Sequence, residues 1–295
     1  MKKRRFFWLV TFCLVFLGQM GKMAYAQTPQ SIEVGPHGGI STYIGDINPW
    51  KLFSQFDMQL GGLVRYNYDT RWSFRLDYTY EKVKATDSVA NWRPERNLNF
   101  QSKVHDLSAI VEFNFLDYHT GHMGSSISPY IFAGVSVFMY QVQPFTGIPE
   151  LDSLHFKANP ESFKVGEKVI DRDVFDVLTY AQWSELSLFQ RQNFSVSIPF
   201  GVGCKLSISK HLAATLEWRM HYTFTDYLDN VHGVYPADHV TINTPVSYDF
   251  TDPTGQFSEG QQRGNSKTND WFGSLHLSVT WKFNLPGQNS CDINM

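Results

Sequence analysis

The sequence predicts an all-β fold: an up-and-down antiparallel transmembrane β-barrel of eight strands, with short periplasmic turns and long extracellular loops. Three observations carry that prediction. The chain opens with the pattern of an export signal. It then repeats strands that alternate strictly between apolar and polar residues, the period of an extended chain with two different faces. Near its end lies an aromatic-rich alternating stretch, Trp271 to Phe283, suited to closing a barrel.

Residues 1–26 have the layout of a cleaved signal peptide. Lys2, Lys3, Arg4 and Arg5 precede an apolar run from Phe6 to Leu17, and Ala24-Tyr25-Ala26 offers a small-x-small cleavage site. The run is too short to cross a bilayer as a helix. Residues 27–285 are assigned to the barrel and 286–295 to a short tail. The formal charge is −3, and without the five basic residues of the signal it falls to −8. An acidic mature chain argues against a nucleic-acid partner, which calls for a basic face. Cys204 and Cys291 remain after cleavage, and two thiols make no disulfide framework.

The strands follow in order. The first, from Ser31 to Ile44, sets Ile32, Val34 and Ile40 against Glu33, His37 and Ser41. The second, Asp57 to Tyr68, faces Met58, Leu60, Val64, Tyr66 and Tyr68 outward and Gln59, Arg65 and Asn67 inward. The third has the cleanest alternation, with Trp72, Phe74, Leu76, Tyr78 and Tyr80 against Ser73, Arg75, Asp77, Thr79 and Glu81. In the fourth, Leu107, Ala109, Val111, Phe113 and Phe115 oppose Asp106, Ser108, Glu112 and Asn114. The fifth, Pro129 to Val142, is apolar on both sides, so period does not assign its faces. The sixth, Phe194 to Leu206, contains Pro199, which removes a ladder hydrogen bond and predicts a bulge or break. The seventh, Leu212 to Tyr227, sets Leu216, Trp218, Met220, Tyr222 and Phe224 against Thr215, Glu217, Arg219, His221 and Thr223. The closing strand places Leu275, Leu277, Val279, Trp281 and Phe283 on lipid and His276 and Lys282 inside.

Counting from a periplasmic start, the odd connections are long (46–56, 83–103, 143–193, 228–268) and the even ones short (69–70, 117–128, 207–210). That alternation suits a bacterial barrel. The 143–193 connection is long enough to hold another hairpin, so ten strands remain an alternative. An eight-stranded interior is just wide enough for side chains to fill. The inward list is Glu33, Arg65, Arg75, Asp77, Glu81, Asp106, Glu112, Lys205, Glu217, Arg219, His276 and Lys282. Charges of both signs, withdrawn from water, are expected to pair across the lumen. The expectation is a filled barrel rather than a pore.

Other constellations carry weaker chemistry. His232, Asp238 and His239 with Asp226 and Asp229 stand where a rim enzyme would hold its acid and base, but nothing in their spacing supplies a tuned partner. His119 and His122 lack a third metal ligand. Gly38-Gly39 and the Gly201/Gly203 pair precede no helix and read as close strand packing rather than phosphate cradles. Trp72, Tyr80, Tyr118, Tyr222, Tyr227, Trp271 and Trp281 read as interfacial girdles. No catalytic residue, metal or cofactor is assigned, and no enzymatic activity is expected.

Several stretches, taken in order, resemble one family. They include Gly39-Ile40-Ser41-Thr42-Tyr43-Ile44-Gly45-Asp46, Arg71-Trp72-Ser73-Phe74-Arg75 and Glu112-Phe113-Asn114-Phe115-Leu116-Asp117-Tyr118. Next come Ser128-Pro129-Tyr130-Ile131-Phe132-Ala133-Gly134-Val135, Ile198-Pro199-Phe200-Gly201-Val202-Gly203 and Thr225-Asp226-Tyr227-Leu228-Asp229-Asn230-Val231. Arg263-Gly264-Asn265 and Asn269-Asp270-Trp271 complete the series. Together they are similar to the outer-membrane barrels of the Bacteroidetes type IX secretion system, the PorG-like proteins. The charged segment 161–176 departs from that pattern. The resemblance implies a non-enzymatic outer-membrane subunit linking the periplasmic ring of a secretion machine to the membrane. Its partners would be outer-membrane lipid, ring subunits and the barrel-assembly machinery. The alternative is a barrel whose long surface loops serve adhesion or ligand binding.

Overall fold

A computed structural model describes residues 30–52, 54–121, 126–144, 193–231, 233–237, 241–242, 248–249 and 251–284. The expected signal, His122, His232, Asp238, His239, Cys291, the tail and residues 145–192 lie outside these. Eight strands close into a barrel: β1 (Ser31–Ile44), β2 (Asp57–Asn67), β3 (Trp72–Thr86), β4 (Asn99–Asn114), β5 (Ile127–Pro144), β6 (Asn193–Ser207), β7 (Leu212–Thr223) and β10 (Trp271–Asn284). The two-residue strands β8 (Thr241–Ile242) and β9 (Tyr248–Asp249) form a separate hairpin in the last long connection.

All barrel neighbours are antiparallel, and β1 pairs with β10 from Ser31↔Asn284 to Ile44↔Trp271. That contact joins the two chain-terminal strands and removes both sheet edges. β5 pairs directly with β6 and β7 with β10, so no ninth or tenth strand enters the wall. The barrel is eight-stranded.

Through the middle of the wall the faces follow the alternation. Phe74, Leu76, Tyr78, Leu107, Val135, Leu216, Leu277 and Val279 are exposed on the outside, while Arg65, Arg75, Asp77, Glu112, Glu217 and Arg219 are buried inside. This inverts a water-soluble protein and is the pattern of a barrel that crosses a membrane. β5 resolves its ambiguity by putting aromatics into the lumen: Tyr130, Phe132, Phe138 and Tyr140 are buried, and Ile131, Val135 and Val137 face out.

Three expectations need correction. The 83–103 stretch is not a connection, because β3 runs to Thr86 and β4 starts at Asn99. The alternation continues there with its polarity reversed. Val83, Ala85, Phe100 and Val104 point inward and are buried, while Lys82, Lys84, Gln101 and Lys103 take the outer face. Above this level the barrel becomes an ordinary water-facing sheet around an apolar core, so a lipid-phase pattern ends although the strands do not. Only residues 87–98 connect them, with the short helix α1 (Asp87–Ala90) and a 3-10 turn at Pro94–Arg96. Second, of the bulge or break expected at Pro199 only the break occurs: the β5–β6 register is the same on either side, and pairing lapses between Ala133↔Phe200 and Ser136↔Ser197. Third, Tyr118 is no girdle residue. It is buried, tucked under the short-turn mouth with its N–H on the Thr70 carbonyl.

Smaller differences follow from packing. β7 ends at Thr223 rather than Tyr227, and Met220, on the outward side, is covered between Phe200 and Gly273. Gly61 leaves room for the ring of His37, since a Cβ there would lie 2.4 Å from it.

Candidate functional site

All twelve inward groups expected from the sequence are buried in the lumen, and most of them form one continuous network. Glu217 is its centre. It accepts from Arg75 at 2.7 and 3.0 Å, from Arg219 at 2.8 and 2.9 Å, and from the Tyr130 hydroxyl, with His276 Nε2 at 3.5 Å. Asp77 takes the other side of Arg219 at 2.9 Å and faces His37 Nε2 at 3.1 Å, whose Nδ1 is 2.8 Å from Gln59. Glu112 gathers Lys205 at 2.6 Å, Arg65 at 3.0 Å and Arg75 at 3.1 Å. Glu33 accepts from Arg65 at 2.9 Å, Asn67 at 3.0 Å and Thr280 at 3.1 Å.

Register explains why these groups meet. Alternate residues of adjacent strands stand side by side on one face, as Gln59 does with Glu81 and His276 with Glu217. Glu81 and Asp106 sit at the top of the network, where Ser108 donates to Asp106 Oδ2 and His221 Nδ1 lies 3.9 Å from Asp106 Oδ1. Glu81 Oε2 and Asp106 Oδ1 have no hydrogen-bond partner among the described residues.

The short-turn mouth is plugged by residues 115–121. Thr120 is buried and donates to Glu33 Oε1 at 2.6 Å, and Lys282 Nζ donates to the Thr120 carbonyl. His119 Nε2 lies 3.5 Å from Lys282 Nζ, a cation rather than a metal-ligating partner, and His122 lies outside the described residues. No group of three metal-ligating side chains occurs among the described residues.

The long-loop mouth is closed by a cap that periodicity alone did not reveal. Leu228 and Val231 insert into the apolar upper core beside Tyr43, Ile47, Val83, Leu98, Phe100, Phe138 and Phe272. Burying two such side chains stabilises the cap by about 1.5–3 kcal/mol each. Arg96 ties three connections together: it donates to Asp87 at 2.6 and 3.1 Å, to the Asp46 carbonyl at 3.0 Å and to the Arg263 carbonyl at 2.7 Å. Asp46 Oδ2 accepts the Asn265 N–H at 2.6 Å. Gly264 is required at this contact, because a Cβ would lie 2.3 Å from the Val231 carbonyl oxygen. Arg263 donates to the Asn230 carbonyl at 2.8 Å.

At the cap's inner edge, Tyr43 Oη lies 2.6 Å from both Asp229 Oδ2 and Asp270 Oδ1. A phenol has one proton to donate, so one of the two carboxyls must carry a proton for both contacts to be hydrogen bonds. The electrostatics agree. Burial, with the charges of Asp46 and Asp226 added, pushes Asp229 up to about 7. Burial and the neighbouring Asp229 raise Asp270. Burial, with Asp46, raises Asp226 to about 7. Thus Asp226 and Asp229 do gather at the rim, but beside a tyrosine and other carboxyls; the histidines expected with them lie outside the described residues.

The structure also brings together stretches quoted above for their family likeness. Tyr43 and Asp46, Leu228 to Val231, Arg263 to Asn265, and Asp270 all belong to this one cap, although about two hundred positions separate the first from the last. Arg96 and Asp87 were missed, because the signal around Arg93-Pro94-Glu95-Arg96-Asn97 is that of any polar turn. A groove of about 410 Å³ flanks the cap, lined by Tyr140, Val142, Asn193, Phe194, Thr225, Tyr227 and Asn230.

Fold and lumen together define a membrane-spanning β-barrel of the filled, capped kind. A sequence-family profile described as "Domain of unknown function (DUF6089)" matches residues 5–149. None of the curated proteins matches. Among solved structures the chain is similar to Neisserial surface protein A, with 14% identity and a TM-score of 0.41 over 85% of this chain and 97% of that one. It is similar to the outer membrane protein OprG of Pseudomonas aeruginosa (11%, TM-score 0.38, 88% and 97%). It is also similar to Ail, the attachment invasion locus protein of Yersinia pestis (10%, TM-score 0.38, 87% and 100%). These likenesses transfer no activity, ligand or partner to this chain.

Proposed function

We propose that the chain is a non-enzymatic outer-membrane barrel that works through its two mouths rather than through its lumen. More narrowly, it serves as a structural and interaction subunit of a type IX-like protein secretion machine, linking a periplasmic ring to the outer membrane. The observation that carries the broader reading is that both mouths are closed from within, by Thr120 on Glu33 at one end and by Leu228 and Val231 at the other. A conduit has no use for such plugs; a rigid anchor does. The secretion role is supported by the family-like stretches and by their convergence on the cap. Export by a cleaved signal fits this location.

The test is cross-linking in whole cells, followed by capture of the tagged protein from solubilised membranes. Periplasmic ring subunits are expected among the captured chains, through contacts with residues 115–128. Recovery of the barrel alone would overturn the secretion role. A second reading, a surface-loop barrel for adhesion or ligand binding, is favoured by the groove beside Phe194 and Tyr227. It predicts that deleting residues 145–192 abolishes function while secretion continues.

A further inference from the structure

The polarity reversal on β3 and β4 fixes where the membrane ends on that side of the barrel. Outward residues of β3 run Phe74, Leu76, Tyr78, Tyr80 and then Lys82 and Lys84; those of β4 run Val111, Ala109, Leu107, His105 and then Lys103 and Gln101. From Trp72 to Tyr80 the apolar stretch rises roughly 20 Å, at about 3.3 Å per residue and a tilt of about 40°, close to the height of a barrel's lipid band. Lys82 and Lys103 are therefore the first side chains past the hydrocarbon, at headgroup level.

They are also direct cross-strand partners, Lys82↔Lys103. Cβ atoms of such a pair are about 4.5–5.5 Å apart, and like charges in that position repel. Every other basic or imidazole group nearby has a partner. Lys84 is paired with Asp57 at 3.4 Å, and His105 Nδ1 is 2.8 Å from the Tyr78 hydroxyl. No carboxylate among the described residues lies within ion-pair distance of Lys82 or Lys103. Gln141 stands opposite Lys103 on β5. Elsewhere on this rim the band ends in Trp271, Tyr222, Phe224 and Phe194, so the cationic row is local.

The geometry points to a lipid-phosphate site: Lys82 and Lys103 together clamp a phosphate on the headgroup of an outer-leaflet lipid, whose acyl chains lie against Tyr78, Leu107 and Val137. One phosphate between two ammonium groups relieves their repulsion and forms charge-assisted hydrogen bonds with both. The membrane band below supplies the occupant, since a headgroup at this height is already tethered beside the pair. This site rests on the outer-membrane reading, which orients the long-loop end toward the outer leaflet.

The experiment uses the full mature chain, refolded in zwitterionic micelles and checked by its heat-dependent gel mobility, with bisphosphorylated lipid A as probe. Native mass spectrometry should show lipid A retained by the wild type and by a Lys267→Gln control. Retention should fall by about tenfold or more in Lys82→Gln/Lys103→Gln, the scale of one lost charge-assisted contact. Dephosphorylated lipid A should bind the wild type as weakly as lipid A binds the double variant. Lys103→Glu supplies a second measurement: it should raise the unfolding temperature in zwitterionic micelles, by giving Lys82 a partner, and abolish the extra stability that lipid A confers.

Equal retention by wild type and folded double variant overturns the site. Displacement of lipid A by millimolar inorganic phosphate makes it a free-anion site and overturns the lipid assignment. Fractionation of the native protein away from the outer membrane overturns the underlying reading instead, and the two failures are separable.

Discussion

Glu217 and Glu81 are both buried glutamates facing the same lumen, yet their surroundings predict opposite outcomes. Glu217 neutralises Arg75 and Arg219 at once and accepts from Tyr130. Glu217→Gln removes the charge from that cluster and leaves two guanidiniums under-compensated, at a cost of about 3–5 kcal/mol. Glu81 Oε2 has no partner among the described residues and stands near Asp106. Glu81→Gln exchanges a buried carboxyl that has no ion-pair partner among the described residues for an amide of the same shape, and should change stability by less than about 1 kcal/mol, or increase it. Urea unfolding in micelles, followed by heat-dependent mobility, compares the two; equal losses would refute the distinction. On the lipid face the sign reverses. Leu277→Asp places a charge in the apolar band and should lower the membrane-inserted fraction, while a normal inserted level would mean the outward face is misassigned.

At the scale of elements, the cap is the part that depends on a few residues. Arg96 is fully buried and joins residues 45–56, 87–98 and 224–270. Arg96→Ala leaves Asp87 without its cation and should cost the cap about 3–5 kcal/mol. Limited proteolysis should then cut within 224–270 while the barrel band survives. Acidity acts on the same element. The Asp229 carboxyl is raised from an unfolded value near 4 to about 7, so the native cap binds more protons than the open one across that interval. Its contribution is fully present below about pH 4 and is lost as pH rises through about 7. Protection of the amides in 226–231 and 263–270, taken relative to their intrinsic exchange rates at each pH, should be higher at pH 5 than at pH 8, and Asp229→Asn should flatten the difference. Protection that does not change with pH in the wild type would refute the shared proton.

How much of this could be read in advance divides along the same line. The wall was legible because Phe74 to Glu81 or Leu275 to Lys282 meets a fixed environment on each side, and period two records that environment directly. The ends of β3 and β4 were not, because Val83 and Lys84 keep the period and exchange its meaning once lipid gives way to water. β5 was ambiguous for a related reason: Tyr130 and Phe132 are inward yet aromatic, filling space around Lys205 and Arg75. The cap was beyond local reading altogether. Asp46 finds Asn265, and Tyr43 finds Asp229 and Asp270, only after the barrel has closed.

For the whole molecule, the filled lumen predicts electrical silence. Side chains from β2, β3, β4, β6 and β7 meet across it, from Arg65 through Glu112 and Arg75 to Glu217. Reconstituted in planar bilayers, the wild type should give no stepwise conductance, and reproducible unitary currents would contradict a packed interior. The reversed upper storey has a further bearing, on how the molecule reaches its place. Strands entering from the short-turn side must carry Lys82, Lys84, Gln101 and Lys103 through hydrocarbon before they emerge into water. That passage is absent from the finished state and belongs to the insertion barrier. It makes spontaneous entry slow and steeply dependent on bilayer thickness, and gives a local thinning of the membrane by an assembly machine the most to accelerate.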